Sequence, residues 1–276
     1  MPITYSCIYK IKTNYRLDEQ RMTENILFSK HDTWESHIRN TIKGYAPHFH
    51  AISEIDTNGF DFIIPLTIHA QKYINNHLGH IRGKQTITPS NIAIDICNNK
   101  KTFSDFLIEN GFEENTPKTD GNLDYPYILK RKYGEWGVGA SIITGAESEA
   151  LQLNGPEPDG YFRQEYIDGQ EEYAAHIIVN DGEIIFSRNV KYTFQEKHFA
   201  KGKDFKPHSV ETVDHKHLNT LFKKILNLLN YQGICCLDYK IKNNIVKIFE
   251  VNPRYGGSLT RFLNEVIPAY RKILTK

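Results

Sequence analysis

The spacing of apolar residues changes period several times along this chain, and each change marks an element. Within residues 1–22 the alternating ITYSCIYKIK has the period of an edge strand. ENILFSK (24–30) reads as a strand, and the segment running on to Gly44 reads as a helix. FDFIIPLTIHA (60–70) is apolar almost throughout, the pattern of a parallel strand buried on both faces, and it leads into a helical QKYINNHL. Asn98-Asn99 open a helix with Phe103, Phe106 and Leu107 on one side, which ends at Gly111. PYILK, ASII and YFRQEYI are short strands, and AAHIIVN and EIIFSRNV flank Asp181-Gly182, a hairpin signal. Past a polar, irregular stretch at 192–210, Leu218, Leu221, Phe222, Ile225, Leu228 and Leu229 form the apolar stripe of a helix that stops at Gly233. LDYKI and VKIFEV then read as two strands joined across Asn243-Asn244, and FLNEVIPAYRKIL as a last helix.

Composition narrows the class. At 276 residues with 39% hydrophobic and 24% charged side chains, the chain is long enough for a large core or for two to three small lobes. A formal net charge of +1 argues against a nucleic-acid binder that works by bulk charge. With no apolar leader and no membrane-length apolar run, the expectation is a cytoplasmic protein without a membrane partner. Cys7, Cys97, Cys235 and Cys236 contain no CxxC spacing, and neighbours in a strand face opposite ways, so neither zinc nor a disulfide framework is expected.

The richest chemistry lies in GICCLDYKIKNNIVKIFEVNPRYGGSLTR (233–261). Asp238, Glu250 and Asn252 carry hard oxygen donors of the kind that suits Mg²⁺, and Glu250 and Asn252 share one face of an extended strand. A regular hairpin with a two-residue Asn243-Asn244 turn pairs Asp238 with Phe249 and sends Glu250 to the other face. For both carboxylates to share a metal, the loop must hold three residues or the ladder must carry a bulge. Pro253, Arg254 and Gly256-Gly257 follow, placing a fixed positive charge beside backbone that can closely approach a phosphate.

The ExNPRxGGS string, preceded by GxxxLD, resembles the metal-binding end of the ATP-grasp superfamily, which includes D-alanine–D-alanine ligase, biotin carboxylase and carbamoyl phosphate synthetase. Upstream stretches match in order. Lys100, Leu107, Gly111 and Pro117 fit the helix that opens on a phosphate-binding lysine, although Asn99 stands where the family usually has Asp. YPYILK followed by Gly134, Gly137 and Gly139 resembles the nucleotide lid, and QEYIDGxE the hinge along the adenine. Together these stretches span residues 88–261.

The resemblance implies an α+β ATP-grasp fold. A reduced N-terminal pre-ATP-grasp αβ lobe would occupy 1–90 and the ATP-grasp domain 91–276, with a lid subdomain at about 118–183. It implies ATP as cosubstrate and two Mg²⁺ ions, with Mn²⁺ able to stand in, held by Asp238, Glu250 and Asn252. ATP would meet Lys100, Lys130, the Gly134, Gly137 and Gly139 backbone, Glu165, Ile167, Glu171 or its neighbour Glu172, and Arg188. Arg254, Gly256 and Gly257 would stabilise the reacting centre. The implied reaction activates a small-molecule carboxylate as an acyl phosphate and joins it to an amine. A thiol, bicarbonate or direct phosphotransfer acceptor, or a non-catalytic nucleotide-binding protein, are the alternatives, and a homodimer is compatible with the resemblance. The polar stretch at 192–210, with Lys197, His198, Lys201, Lys203, Lys206 and His208 against Glu196 and Asp204, has the charge of a lid over an anionic substrate.

Overall fold

The computed structural model describes residues 23–134, 137–153, 159–196, 198–201 and 206–274. The expected edge strand at 1–22, like Lys197, Lys203 and Asp204, lies outside them.

The N-terminal lobe is a small αβ unit. Strand β1 (Glu24–Ser29), helix α1 (Glu35–Thr41), strands β2 (Tyr45–His50) and β3 (Phe62–Ile64), and helix α2 (Ile68–His77) make up most of it, with β1 central in a parallel sheet ordered β2-β1-β3. Sequence periodicity gives no sign of β2: YAPHFH holds a proline and two histidines, and it is recruited by pairing with β1 along its whole length. The apolar run at 60–70 yields only three strand residues, because Pro65 follows and Thr67 caps α2 by accepting from the Ala70 N–H.

Helices α3 (Asn91–Asn98) and α4 (Lys100–Glu109) meet at Asn99, whose Oδ1 accepts from the Lys101 and Thr102 N–H groups. That cap sets Lys100 at the first position of α4. A three-stranded antiparallel sheet follows: β4 (Tyr127–Arg131) in the centre, flanked by β5 (Ser141–Ile143) and β6 (Tyr161–Glu165), with helix α5 (Ala146–Leu153) between the last two. The expected lid span thus contains this sheet and then runs on into strand β7 (Glu171–Asn180), which pairs elsewhere.

The large sheet carries Asp238, Glu250 and Asn252 of the candidate site. β7, β8 (Glu183–Thr193), β9 (Ser209–Val213), β10 (Gly233–Lys242) and β11 (Ile245–Asn252) form an antiparallel sheet ordered β11-β10-β7-β8-β9. Helix α6 (Asn219–Leu228) covers one face, burying Phe222, Ile225 and Leu226 against Cys235, Leu237, Tyr239 and Ile248, together with Phe103 and Leu107 from α4. Alternation within β10 sends Cys236 and Asp238 to the other face. Helix α7 (Leu263–Leu274) ties this sheet to the N-terminal lobe. Its Tyr270, fully buried, accepts from the Ile87 N–H at 2.8 Å and lies 3.2 Å from the Ile63 carbonyl.

Candidate active site

The β10–β11 hairpin has the geometry that a shared cation demands. Asn243 and Asn244 both take left-handed φ (52° and 64°), making a two-residue turn that pairs Lys242 with Ile245. The register then shifts between Tyr239, opposite Ile248, and Asp238, opposite Glu250. Phe249 is the extra residue of a β-bulge, and it brings Glu250 back to the face of Asp238. Of the two solutions left open by the sequence, the bulge is the one used. Asn252 completes the group: its Nδ2 donates to Asp238 Oδ2 and to Glu250 Oε1, each at 3.0 Å.

Cations surround these oxygens. Lys100 Nζ stands 3.5 Å from Glu250 Oε2 and donates to the Gly134 carbonyl at 2.6 Å, joining α4 to the glycine-rich loop. Lys201 Nζ bridges Asp238 Oδ1 at 2.7 Å and Glu172 Oε1 at 2.8 Å. Burial pushes both carboxyls up. In Glu250 the nearby Lys100 and Lys130 outweigh it and hold the acid well below the usual range, whereas Asp238 stays raised despite Lys201. Burial lowers Lys130 to about 8, with Glu250 pulling the other way.

Among the described residues no three His, Cys, Asp or Glu side chains gather as an all-protein metal cage. Two carboxylates converging beside lysines, with the Asn252 amide group between them, do fit Mg²⁺, which is held by one or two carboxylates and completes its shell with phosphate and water.

Two cavities meet at this point. The first, a cleft between the small sheet and the large one, is lined by Lys100, Lys130, Gly134, Gly137, Ile167, Glu172, Lys201, Asp238 and Glu250. Its base is set by Lys240, a buried lysine whose Nζ donates to the Ile167 carbonyl at 2.9 Å and the Gly169 carbonyl at 2.8 Å. Those two bonds fix the hinge after β6. Phe199 lies under the same ammonium, 4.3 Å from its ring centroid, and with Ala200 and Lys201 it brings part of the 192–210 stretch into the cleft wall. The second cavity, about 620 Å³, shares Gly137, Lys201, Asp238 and Glu250 with the first. It continues past Arg254, Gly256 and Gly257 to Trp34 and His37 of the N-terminal lobe.

Not every expected site residue reaches these cavities. Glu165 accepts from the Lys118 N–H at 3.1 Å and lines a separate hollow. Glu171 opens β7 on the exposed side, where Tyr173 Oη donates to it at 2.6 Å and Lys191 stands at 3.3 Å; strand alternation puts Glu172 in the cleft instead. Arg188 is ion-paired with Glu265 and lies over Phe186, away from both cavities. Gly139 takes a φ of 78°, and a β-carbon there would meet Arg131 Nε at 2.8 Å, so this glycine serves the loop's packing rather than the cleft wall. Lys240, Trp34, His176 and Tyr192 went unmarked in the sequence, since each is an ordinary strand or helix-start residue until the sheet assembles, and Ser258 entered only as the last letter of ExNPRxGGS, with no role of its own.

Among the described residues no helix is long and apolar enough to cross a membrane. A family model described as an ATP-grasp domain matches residues 97–258. The carbamoyl phosphate synthase large chain of Thermoanaerobacter pseudethanolicus is 24% identical over 184 residues, covering 59% of this chain and 16% of the relative. The chain therefore spans about a sixth of the length of the curated relatives it matches. Among solved structures, D-alanine–D-alanine ligase from Bacillus anthracis superposes with a TM-score of 0.62 at 16% identity, covering 92% of this chain and 95% of the other. L-amino acid ligase from Bacillus licheniformis gives 0.56 at 15%, covering 87% and 69%. With more than half of its length matched by the family model, and the carboxylate-bearing hairpin, lysines and glycine loop arranged around one cleft, the chain belongs to the ATP-grasp family.

Proposed function

We propose that the protein is an ATP-dependent ligase that activates a small-molecule carboxylate as an acyl phosphate and joins it to an amine. The observation that carries this reading is the junction of the two cavities at Asp238 and Glu250. A nucleotide in the first cavity would present its terminal phosphate there, facing a second cavity large enough for an organic substrate. The similarity to two amino-acid ligases supports the choice of acceptor.

The chain's own residues take distinct parts. Lys240 holds the hinge carbonyls against which an adenine would lie, and Glu172 replaces Glu171 as the acceptor for ribose hydroxyls. Lys100 and Lys130 face the phosphates. Asp238, Glu250 and Asn252 would hold Mg²⁺, which when bound neutralises charge on the transferred phosphoryl group. In the first step a substrate carboxylate oxygen bonds to the terminal phosphorus and the bond to ADP breaks. In the second the amine nitrogen attacks the acyl carbon, the C–O bond to phosphate breaks, and the amine gives up a proton. Arg254 and the Gly256-Gly257 backbone line the space where the tetrahedral oxyanion forms.

Hydroxylamine can replace the amine. Supplied with ATP, Mg²⁺ and candidate amino acids, the protein should form a hydroxamate in step with phosphate release. ATP turnover indifferent to any carboxylate would overturn this reading.

A further inference from the structure

One wall of the larger cavity carries a hydrogen-bonded trio that the two steps above leave unused. Tyr192, near the end of β8, donates its hydroxyl to Ser258 Oγ at 2.8 Å. His176, in the middle of β7, places Nε2 only 2.6 Å from the same oxygen. All three residues line the cavity. His176 is fully buried, and its other ring nitrogen, Nδ1, has no hydrogen-bond partner among the described residues. The ring is also hemmed in: a β-carbon on Gly256 would lie 2.5 Å from its Cε1, so the glycine is what lets the imidazole reach Ser258.

The orphan nitrogen fixes the direction of every bond in the trio. Burial, with Lys201 nearby, pushes the imidazole down to about 3, so the ring is neutral and carries a single N–H. A proton on Nδ1 would leave a buried donor with nothing to bond, a rare and costly state, whereas an idle acceptor lone pair on Nδ1 costs less. The proton therefore sits on Nε2, and His176 donates to Ser258. Ser258 Oγ then accepts from both Tyr192 and His176, and a hydroxyl oxygen has two lone pairs. Both are occupied. Its own O–H is the one remaining function, and the cavity lies open to it.

A hydroxyl in that state can only give a hydrogen bond, so its ligand must be an acceptor. Charge along the cavity agrees. Arg254, Arg261 and Lys201 line it, and among the described residues its only carboxylates are Asp238 and Glu250, at the end shared with the first cavity. We propose that Ser258 is a dedicated donor to a carboxylate oxygen of the substrate, with His176 and Tyr192 as the positioning residues that deny it any other role. That the bound carboxylate is the one to be activated rests on the ligase reading; the donor assignment does not.

Long-range proton–nitrogen correlation spectra of the full-length protein with ¹⁵N-labelled histidine test both parts. The His176 signals are those displaced in Ser258→Ala, or in Tyr192→Phe should the first variant fold poorly. At neutral pH Nε2 should be the protonated nitrogen. Acetate, a bare carboxylate, should shift the His176 signals, and methylammonium should not. Ser258→Ala should weaken acetate binding by roughly tenfold or more, the size of one hydrogen bond to a charged group. In the hydroxylamine assay Tyr192→Phe should raise the KM of the carboxylate and leave that of ATP unchanged. A proton on Nδ1, a response to methylammonium in place of acetate, or equal acetate binding without the serine hydroxyl would each overturn the proposal. Acetate binding that depends on Ser258 in a protein that forms no hydroxamate would keep the donor and sink the ligase.

Discussion

Replacing Gly256 by Ala adds one methyl group at the point where the cavity wall is tightest. The backbone there has φ −98°, which alanine adopts without strain, so the whole cost is steric. The new carbon would lie 2.5 Å from His176 Cε1, 2.8 Å from Nδ1 and 3.2 Å from Cys236 Cβ. Ordinary contacts between such atoms begin near 3.5 Å, so the ring would have to retreat by about 1 Å. It has little room, since β7 is paired on both sides, with Cys236 opposite on β10 and Arg188 opposite on β8. Overpacking of this kind costs about 1–3 kcal/mol, and a retreat of the ring would lengthen its 2.6 Å contact with Ser258. For a chain of this size the melting temperature should fall by roughly 2–5 °C. Gly145→Ala is the control, because its β-carbon would meet nothing within 4 Å. Calorimetry on both variants, with the carboxylate KM, checks the argument. If Gly256→Ala melts and turns over like Gly145→Ala, the ring is not held where the structure puts it.

Other expectations follow from the same geometry. Glu250→Gln keeps size but removes one charge of the proposed cation site, and should lower Mg²⁺-dependent turnover by roughly a hundredfold or more while circular dichroism stays native. Glu172→Gln should raise the KM of ATP about tenfold, the worth of one hydrogen bond to a charged group, and Glu171→Gln should leave it unchanged; the reverse result would move the ribose to the exposed side of β7. Lys130 titrates near 8 in the fold, below its unfolded value, so two quantities should move oppositely above that pH. Nucleotide affinity should fall as the ammonium is lost, by up to about tenfold per pH unit, whereas stability of the nucleotide-free protein gains because the unfolded chain then binds more protons. Lys130→Arg should remove both trends, read by nucleotide titration and by urea unfolding across pH 7–10.

Much of this was legible in residue order, and the remainder depends on pairing between distant segments. The Asp181-Gly182 turn, the Asn99 cap and the α6 stripe are local signals, written in φ preference, side-chain hydrogen bonding and period, and each appears where its residues say. The hairpin conflict at Asp238 and Glu250 could also be posed from counting alone, although not which remedy would resolve it. Glu171 and Glu172 are indistinguishable as letters, and only the pairing of β7 with β10 decides which enters the cleft. Lys240 reads as the polar half of an alternating strand, yet it is buried, because two carbonyls from the hinge converge on it. Strand β2 has no period of its own and exists by virtue of β1.

The bulge at Phe249 imposes a parity rule on the hairpin. Counting outward from the two-residue turn, the partners sum to an odd number until the shift and to an even number beyond it, and the carboxylates sit in the even part. Deleting Phe249 would leave Asp238 opposite Glu250 on a regular ladder, losing only the ring that the bulge turns into the cleft. Deleting any other single residue between the bulge and Asp238 would throw the two acids to opposite faces unless the bulge were given up in exchange. The hairpin can therefore absorb one length error at a single place, and it does so by sacrificing an aromatic side chain of the cleft while the two carboxylates stay opposite each other.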